Sequence, residues 1–150
     1  MMTEANITDL LRRILADSYS SMVSTPRNGR IFVNVNRENL RILVQSLKGE
    51  GFSHLSAVTG LEVEDGVELL YHLSSSGTIL TLRVKIPFND AVAPTITDII
   101  PGAILYEREV HDLLGVKFKG HENLERLILP DGWPENEYPL RKKGVGSKTS

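Results

Sequence analysis

Residues 66–86 read GVELLYHLSSSGTILTLRVKI, and their periodicity decides the fold. Val67, Leu69, Tyr71 and Leu73 alternate with Glu68, Leu70, His72 and Ser74. Past Ser74-Ser75-Ser76-Gly77, Leu80, Leu82, Val84 and Ile86 alternate with Thr81, Arg83 and Lys85. Successive side chains of a strand point to opposite faces, so the pattern predicts two strands that each bury one face. Asp65-Gly66 marks a tight hairpin turn back to an earlier strand over residues 53–63. Gly60 inside that strand predicts a bulge or a close contact. A meander with one apolar face needs a covering layer.

Helices supply that layer. Ile7, Leu10, Leu11, Ile14 and Leu15 recur at helical spacing and predict an amphipathic helix over residues 4–19. Residues 20–29, SSMVSTPRNG, read as a loop. Ile31-Phe32-Val33-Asn34-Val35 is a short β-branched strand. Asn36 is placed to cap a second helix whose apolar face is Leu40, Leu43, Val44 and Leu47, ended by Gly49 and Gly51. Residues 87–101 read as a loop with one helical turn near Thr97. A third helix over 102–114 has the apolar stripe Ala103, Tyr106, Val110, Leu113 and Leu114 and stops at Gly115. Further on, Pro130, Pro134 and Pro139 exclude a continuing helix or a central strand.

The expected fold class is therefore α+β. Helices pack on a small, mainly antiparallel sheet in the order helix, strand, helix, three-stranded meander, helix, and an extended Pro-rich C-terminal arm follows. Two units are expected: an α+β domain over residues 1–121, and a docking arm with a basic tail over 122–150.

A chain of 150 residues is long enough for one real core. Its apolar share of 41% and charged share of 24% are those of an ordinary globular chain. A net charge of −2 gives no bias toward nucleic acid or an anionic membrane. With no cysteine, the chain holds no disulfide, no thiolate nucleophile and no thiolate-bound iron–sulfur cluster or structural zinc. The first twenty residues lack an apolar signal-peptide core, and no window reaches the roughly 18 apolar residues of a membrane span. An intracellular location without a direct membrane span is expected.

Convergent chemistry is scarce. No pair among His54, His72, His111 and His121 has the four-residue helical spacing of a metal site. Glu107 and Glu109 resemble a carboxylate pair for acid–base work, but neighbours two apart on a helix point to different sides. Structural ion pairs, Glu107 with His111 and Arg108 with Asp112, are the plainer reading. Glu107, Arg108 and Glu109 lie about 100° apart around the helix, so at least one of them approaches the domain or a partner. His121, after Gly120, reads as a hydrogen-bonded loop residue. The terminal GVGSKTS, residues 144–150, superficially resembles a phosphate loop but lacks the strand before it and the helix after it.

The stronger signal is apolar. Leu124, Leu127, Ile128, Leu129, Trp133, Tyr138 and Leu140 crowd into a proline-broken stretch. Such a stretch either wraps its own domain or clamps a partner, with Trp133 as an anchor. Arg141, Lys142, Lys143 and Lys148 add a basic end.

These residues also carry a resemblance. The run Glu107-Arg108-Glu109-Val110-His111-Asp112-Leu113-Leu114-Gly115-Val116, then Phe118 and Gly120-His121, resembles the signature of the thirty-kilodalton subunit family of respiratory complex I. So does the continuation through Leu124, Arg126, Leu127-Ile128-Leu129-Pro130-Asp131 and Trp133 to Pro139-Leu140-Arg141-Lys142. The same family includes accessory subunits of group 4 membrane-bound nickel–iron hydrogenases and of archaeal F420H2 dehydrogenase-type complexes.

The resemblance implies a non-catalytic accessory subunit in the soluble peripheral arm, on the cytoplasmic side of the cell membrane. It would dock on a hydrogenase-like large subunit near the iron–sulfur subunit. It would bind no cofactor itself, nickel–iron or iron–sulfur centres lying in its partners. His111-Asp112 and the spacing from Trp133 to Pro139 look more like the hydrogenase or archaeal members, and Lys143-Gly144 departs from the acidic-aromatic pair usual in the NADH-dependent enzymes. The alternative is the thirty-kilodalton subunit of NADH-quinone oxidoreductase proper. The rival of another class is a free-standing enzyme using Glu107, Glu109 and His111.

Overall fold

A computed structural model describes residues 4–27 and 29–121. Helix α1 (Glu4–Leu15) leads through a 3-10 turn at Ala16–Ser18 into the short α2 (Tyr19–Met22). Strands β1 (Val23–Arg27) and β2 (Arg30–Asn34), helix α3 (Arg37–Gly49) and strands β3 (His54–Val63), β4 (Gly66–Ser75) and β5 (Thr78–Pro87) follow. A 3-10 turn at Phe88–Asp90, strand β6 (Val92–Pro94), helix α4 (Ala103–Leu114) and strand β7 (Lys117–Lys119) complete the described chain.

The main sheet has five strands in the order β1-β2-β5-β4-β3. The meander pairs as its alternation requires, with Leu73 opposite Leu80, Tyr71 opposite Leu82, Leu69 opposite Val84 and Val67 opposite Ile86. All eight side chains are buried. Ile31 and Val33 of β2 extend the same face, in parallel register with Leu80 and Leu82. Onto it pack Ile7, Leu10 and Leu11 of α1, Leu40, Leu43, Val44 and Leu47 of α3, and Val110 and Leu114 of α4, forming one core. The opposite face is polar and mixed: Arg83 stacks over Phe32 with 5.1 Å to the ring centre. There His72 is held by the hydroxyls of Thr81 (3.1 Å) and Thr59 (3.4 Å).

Four expectations need correction. The predicted loop at 20–29 contains most of α2 and all of β1; Pro26 hid the strand, and proline is tolerated there because β1 lies at the sheet edge. The first helix ends at Leu15, and Ala16 turns the chain with a φ of 49°. The main sheet is mainly antiparallel, as expected, and its one parallel pairing among the described residues, β2 with β5, follows because α3 and the meander carry the chain across between them. The 87–101 loop contains β6, which pairs in parallel with β7 through Val92–Lys117, Ala93–Phe118 and Pro94–Lys119. Asn36 does stand at the helix start, yet its side chain makes no capping bond; the Asn39 N–H donates to its backbone carbonyl instead, at 2.9 Å.

Gly60 is the close contact that its position in β3 suggested, while the bulge falls between Leu55 and Ala57. A Cβ at Gly60 would stand 2.5 Å from Leu114 Cδ1 and 3.4 Å from Val110 Cγ1, so the missing side chain is what lets α4 lie on β3. Gly60→Ala is expected to lower unfolding free energy by about 1–2 kcal/mol as Leu114 shifts aside, and Gly60→Val by more. Urea unfolding at equal protein concentration measures both.

Candidate functional site

Helix α4 carries the charged motif. Gly115 ends it in the left-handed conformation, φ 76°, with its N–H donated to the His111 carbonyl at 2.9 Å. The apolar stripe faces β3, and the Tyr106 hydroxyl donates to the Ser56 carbonyl at the bulge, 2.7 Å away.

Glu107 is not on the surface: its side chain is fully buried. Thr95 Oγ1 donates to its Oε1 at 2.6 Å, and the Ile96 N–H donates to Oε2 at 2.9 Å. Burial pushes this carboxyl above the ordinary glutamate range, and those two bonds partly oppose the shift. The motif's first carboxylate thus pins the segment between β6 and α4 from the inside. From the outside, α3 pins that segment together with β6 and the turn before it. Arg37 donates to the carbonyls of Asp90 (2.7 Å) and Val92 (2.9 Å), and Lys48 to that of Ile99 (2.6 Å). Arg41 donates to the Thr95 carbonyl at 2.6 Å and grips both Asp98 carboxylate oxygens at 2.7 Å. That two-pronged bond holds the Asp98 carboxyl down to about 2.

The remaining motif residues scatter. Glu109 is exposed and Arg108 half-buried. Asp112 is buried, at 2% exposure. His111 donates from Nδ1 to the Val116 carbonyl, 3.0 Å away, so the expected Glu107–His111 surface pair does not form. Glu107 is already engaged by two donors and His111 by the Val116 carbonyl, so each has its partner elsewhere. Phe118 is buried in β7. Gly120, at φ 92°, places the chain against Thr95. His121 is the hydrogen-bonded loop residue expected, donating from Nε2 to the Ile104 carbonyl at 3.1 Å. Leu124, Arg126, Leu129, Pro130, Trp133, Pro139, Leu140, Arg141 and Lys142 lie outside the described residues.

Glu107, Glu109 and His111 therefore do not converge on one point, and the geometry gives the free-standing enzyme no site on them. Among the described residues, no group of three or more His, Asp or Glu side chains is placed to hold a metal ion. No helix among them is long and apolar enough to cross a membrane.

Sequence reasoning missed Thr95, Ile96, Arg41 and Asp98, which complete the Glu107 anchorage. Arg41 and Asp98 are 57 residues apart. The one local signal is the spacing of Arg37 and Arg41 on one face of α3, matched by Asp90 and Asp98 in the loop.

Helix-backed sheet, buried carboxylate and clamped loop define a small α+β domain in which Glu107 of the charged motif is engaged inside the fold. Residues 33–150 match the family described as the respiratory-chain NADH dehydrogenase 30 kDa subunit. The chain belongs to that family.

It is 33% identical over 122 residues to the C subunit of the F420H2 dehydrogenase of Methanosarcina mazei, covering 78% of this chain and 77% of that one. Identity to the C subunit of the NADH-quinone oxidoreductase of Moorella thermoacetica is 35% over 113 residues, covering 72% and 75%. Against the membrane-bound hydrogenase subunit beta of Pyrococcus furiosus it is 33% over 126 residues, covering 77% and 72%. Among solved structures, a chain of the membrane-bound sulfane sulfur reductase, an archaeal respiratory membrane complex, superposes with a TM-score of 0.76. Its identity is 28%, and the match covers 94% of this chain and 89% of that one. The trypsin-resistant fragment of Nqo5 superposes with a TM-score of 0.65 at 27% identity, over 77% of this chain and 99% of the fragment.

Proposed function

We propose that this chain is a non-catalytic accessory subunit in the peripheral arm of a complex-I-like membrane oxidoreductase, docked on a hydrogenase-like large subunit beside an iron–sulfur subunit. The observation that carries the reading is the unbroken match over residues 33–150 to a family whose compared members are named as subunits of such complexes. The burial of Glu107 supports it, since the motif's best-placed carboxylate is spent inside the fold. Nickel–iron or iron–sulfur centres belong, on this reading, to the partners, and the chain sits on the cytoplasmic face of the membrane through them.

Relatives on the NADH, F420H2 and hydrogenase branches match at 33–35% identity, so identity does not separate them. His111-Asp112 and the Trp133-to-Pro139 spacing favour the hydrogenase or archaeal branch, and Lys143-Gly144 departs from the NADH-dependent pattern. A tagged chain purified in mild detergent from its source cells tests the proposal. Stoichiometric recovery with a hydrogenase-like large subunit and a cysteine-bearing iron–sulfur subunit is expected. Recovery as a lone monomer with its own activity, lost in Glu109→Gln, overturns it.

A further inference from the structure

Thr95 has one hydroxyl proton and two oxygens within its reach. Its Oγ1 lies 2.6 Å from Glu107 Oε1 and 3.0 Å from Thr97 Oγ1. Only one of these can receive the proton at a time. Glu107 is fully buried and Thr95 is 5% exposed, whereas Thr97 is only half-buried. The three oxygens therefore form a hydrogen-bonded chain from an enclosed carboxylate to a side chain that water reaches. We propose that Glu107, Thr95 and Thr97 form a proton relay, through which the buried carboxylate gains and loses its proton while the fold stays closed.

Both charge states fit the same heavy atoms. With Glu107 ionised, the Thr95 hydroxyl donates to Oε1. With Glu107 neutral, the proton on Oε1 donates to Thr95 Oγ1, whose own O–H turns to Thr97. The Ile96 N–H donates to Oε2 in either state, and the Thr97 N–H, 3.2 Å from Thr95 Oγ1, holds the hydroxyl pair in register. Protonation proceeds by exchange: hydronium gives a proton to Thr97 Oγ1, the Thr97 proton passes to Thr95 Oγ1, and the Thr95 proton passes to Oε1. Each hydroxyl breaks one O–H bond and forms another, and the net change is one proton added to the carboxylate.

The surroundings leave this route open. From β4 faces Tyr71, fully buried, whose hydroxyl has no hydrogen-bond partner among the described residues. From α3 comes Arg41, held by Asp98 and the Thr95 carbonyl; Asp98 itself belongs to the clamped segment. His121, beyond β7, donates from Nε2 to the Ile104 carbonyl. Tyr71, Asp98 and Arg41 all feel the Glu107 charge electrostatically, as does His121. The carboxylate oxygens themselves are bonded to Thr95 and to the Ile96 N–H, and of these two donors the hydroxyl is the one that can exchange its proton.

The inference concerns this domain alone and stands whether or not the chain is a subunit of a complex. Its test is a rapid acidification of the purified full-length protein from neutral pH to about pH 4, near the ordinary glutamate value. The carboxylic-acid carbonyl stretch is followed by infrared absorption, and the difference between wild type and Glu107→Gln isolates the one carboxyl.

In wild type the band is expected within the mixing time. Thr97→Val, of nearly the same shape, should slow it about tenfold or more, toward the rate at which the Ile96 amide exchanges with solvent through local opening. Thr95→Val should do the same; should that variant fail to fold, Thr97→Val carries the test alone. A Thr97→Val protein that protonates Glu107 as fast as wild type overturns the relay. So does a wild-type band that rises only at the Ile96 exchange rate.

Discussion

Glu107→Ala is expected to lower the unfolding free energy by about 3 kcal/mol, read from the shift of the urea midpoint. The substitution strands the buried Ile96 N–H, which the carboxylate now receives at 2.9 Å, and it trades the 2.6 Å bond from the Thr95 hydroxyl for that hydroxyl's longer 3.0 Å reach to Thr97. Each buried donor left unmade costs about 1–3 kcal/mol. Removing a desolvated carboxylate returns part of that, so the two losses do not simply add. Glu107→Gln keeps an acceptor for the Ile96 N–H but presents an amide to Thr95, and is expected to cost about 1 kcal/mol.

The pair of variants also separates charge from shape. The folded-state value of Glu107 is raised, mainly by burial. Its native state therefore holds the proton more tightly than the unfolded chain does. The resulting stability is fully present below the ordinary glutamate value and is lost as pH rises through the raised one. Wild type should gain on Glu107→Gln as pH falls through that window. Asp98 works in the opposite sense, its contribution being lost between the ordinary aspartate value and about 2. Chemical denaturation at a series of pH values measures the wild-type minus Gln difference, from which Asp98 cancels. A difference that shrinks on acidification would show that Glu107 prefers its charge inside the fold.

Why the sequence announced the sheet but hid the latch follows from range. Alternation at Val67–Leu73 and Leu80–Ile86 is a local property that reports burial directly, and the face, the partners and even the register follow from it. Helical stripes on α1, α3 and α4 were legible for the same reason. Gly60 was legible because a strand glycine needs a neighbour to explain it. By contrast, the burial of Glu107 depends on Thr95 and Ile96, which a loop of no visible pattern delivers after β6 pairs with β7. A three-residue strand with a proline in it carries no periodicity, so β6 could not be read, and the spacing of Arg37 and Arg41 does not by itself say which carboxylates they reach. On a helix, Glu107 and His111 four apart suggest each other; nothing local says that one of them faces inward. The geometry makes Glu107 the motif's architectural residue and leaves Glu109, exposed two positions on, as its outward-facing one.

Removal of residues 130–150 is expected to leave a folded domain and to abolish recovery with partner subunits, a complete loss in the co-purification assay. The described residues already enclose a core running from Ile7 to Phe118, and the main sheet and its helices are all formed by residue 119. The truncated chain should therefore unfold in one cooperative transition, because the described residues hold a core of their own. Trp133, Leu140, Arg141 and Lys142 leave with the deleted segment, and with them go the aromatic anchor and the basic end of the proposed dock. Two outcomes would redirect the reading. Loss of the cooperative transition without any partner present would make the segment part of the domain's own core. Undiminished co-purification would move the docking surface to residues before 130, among which α4 exposes Ile104, Leu105 and Glu109.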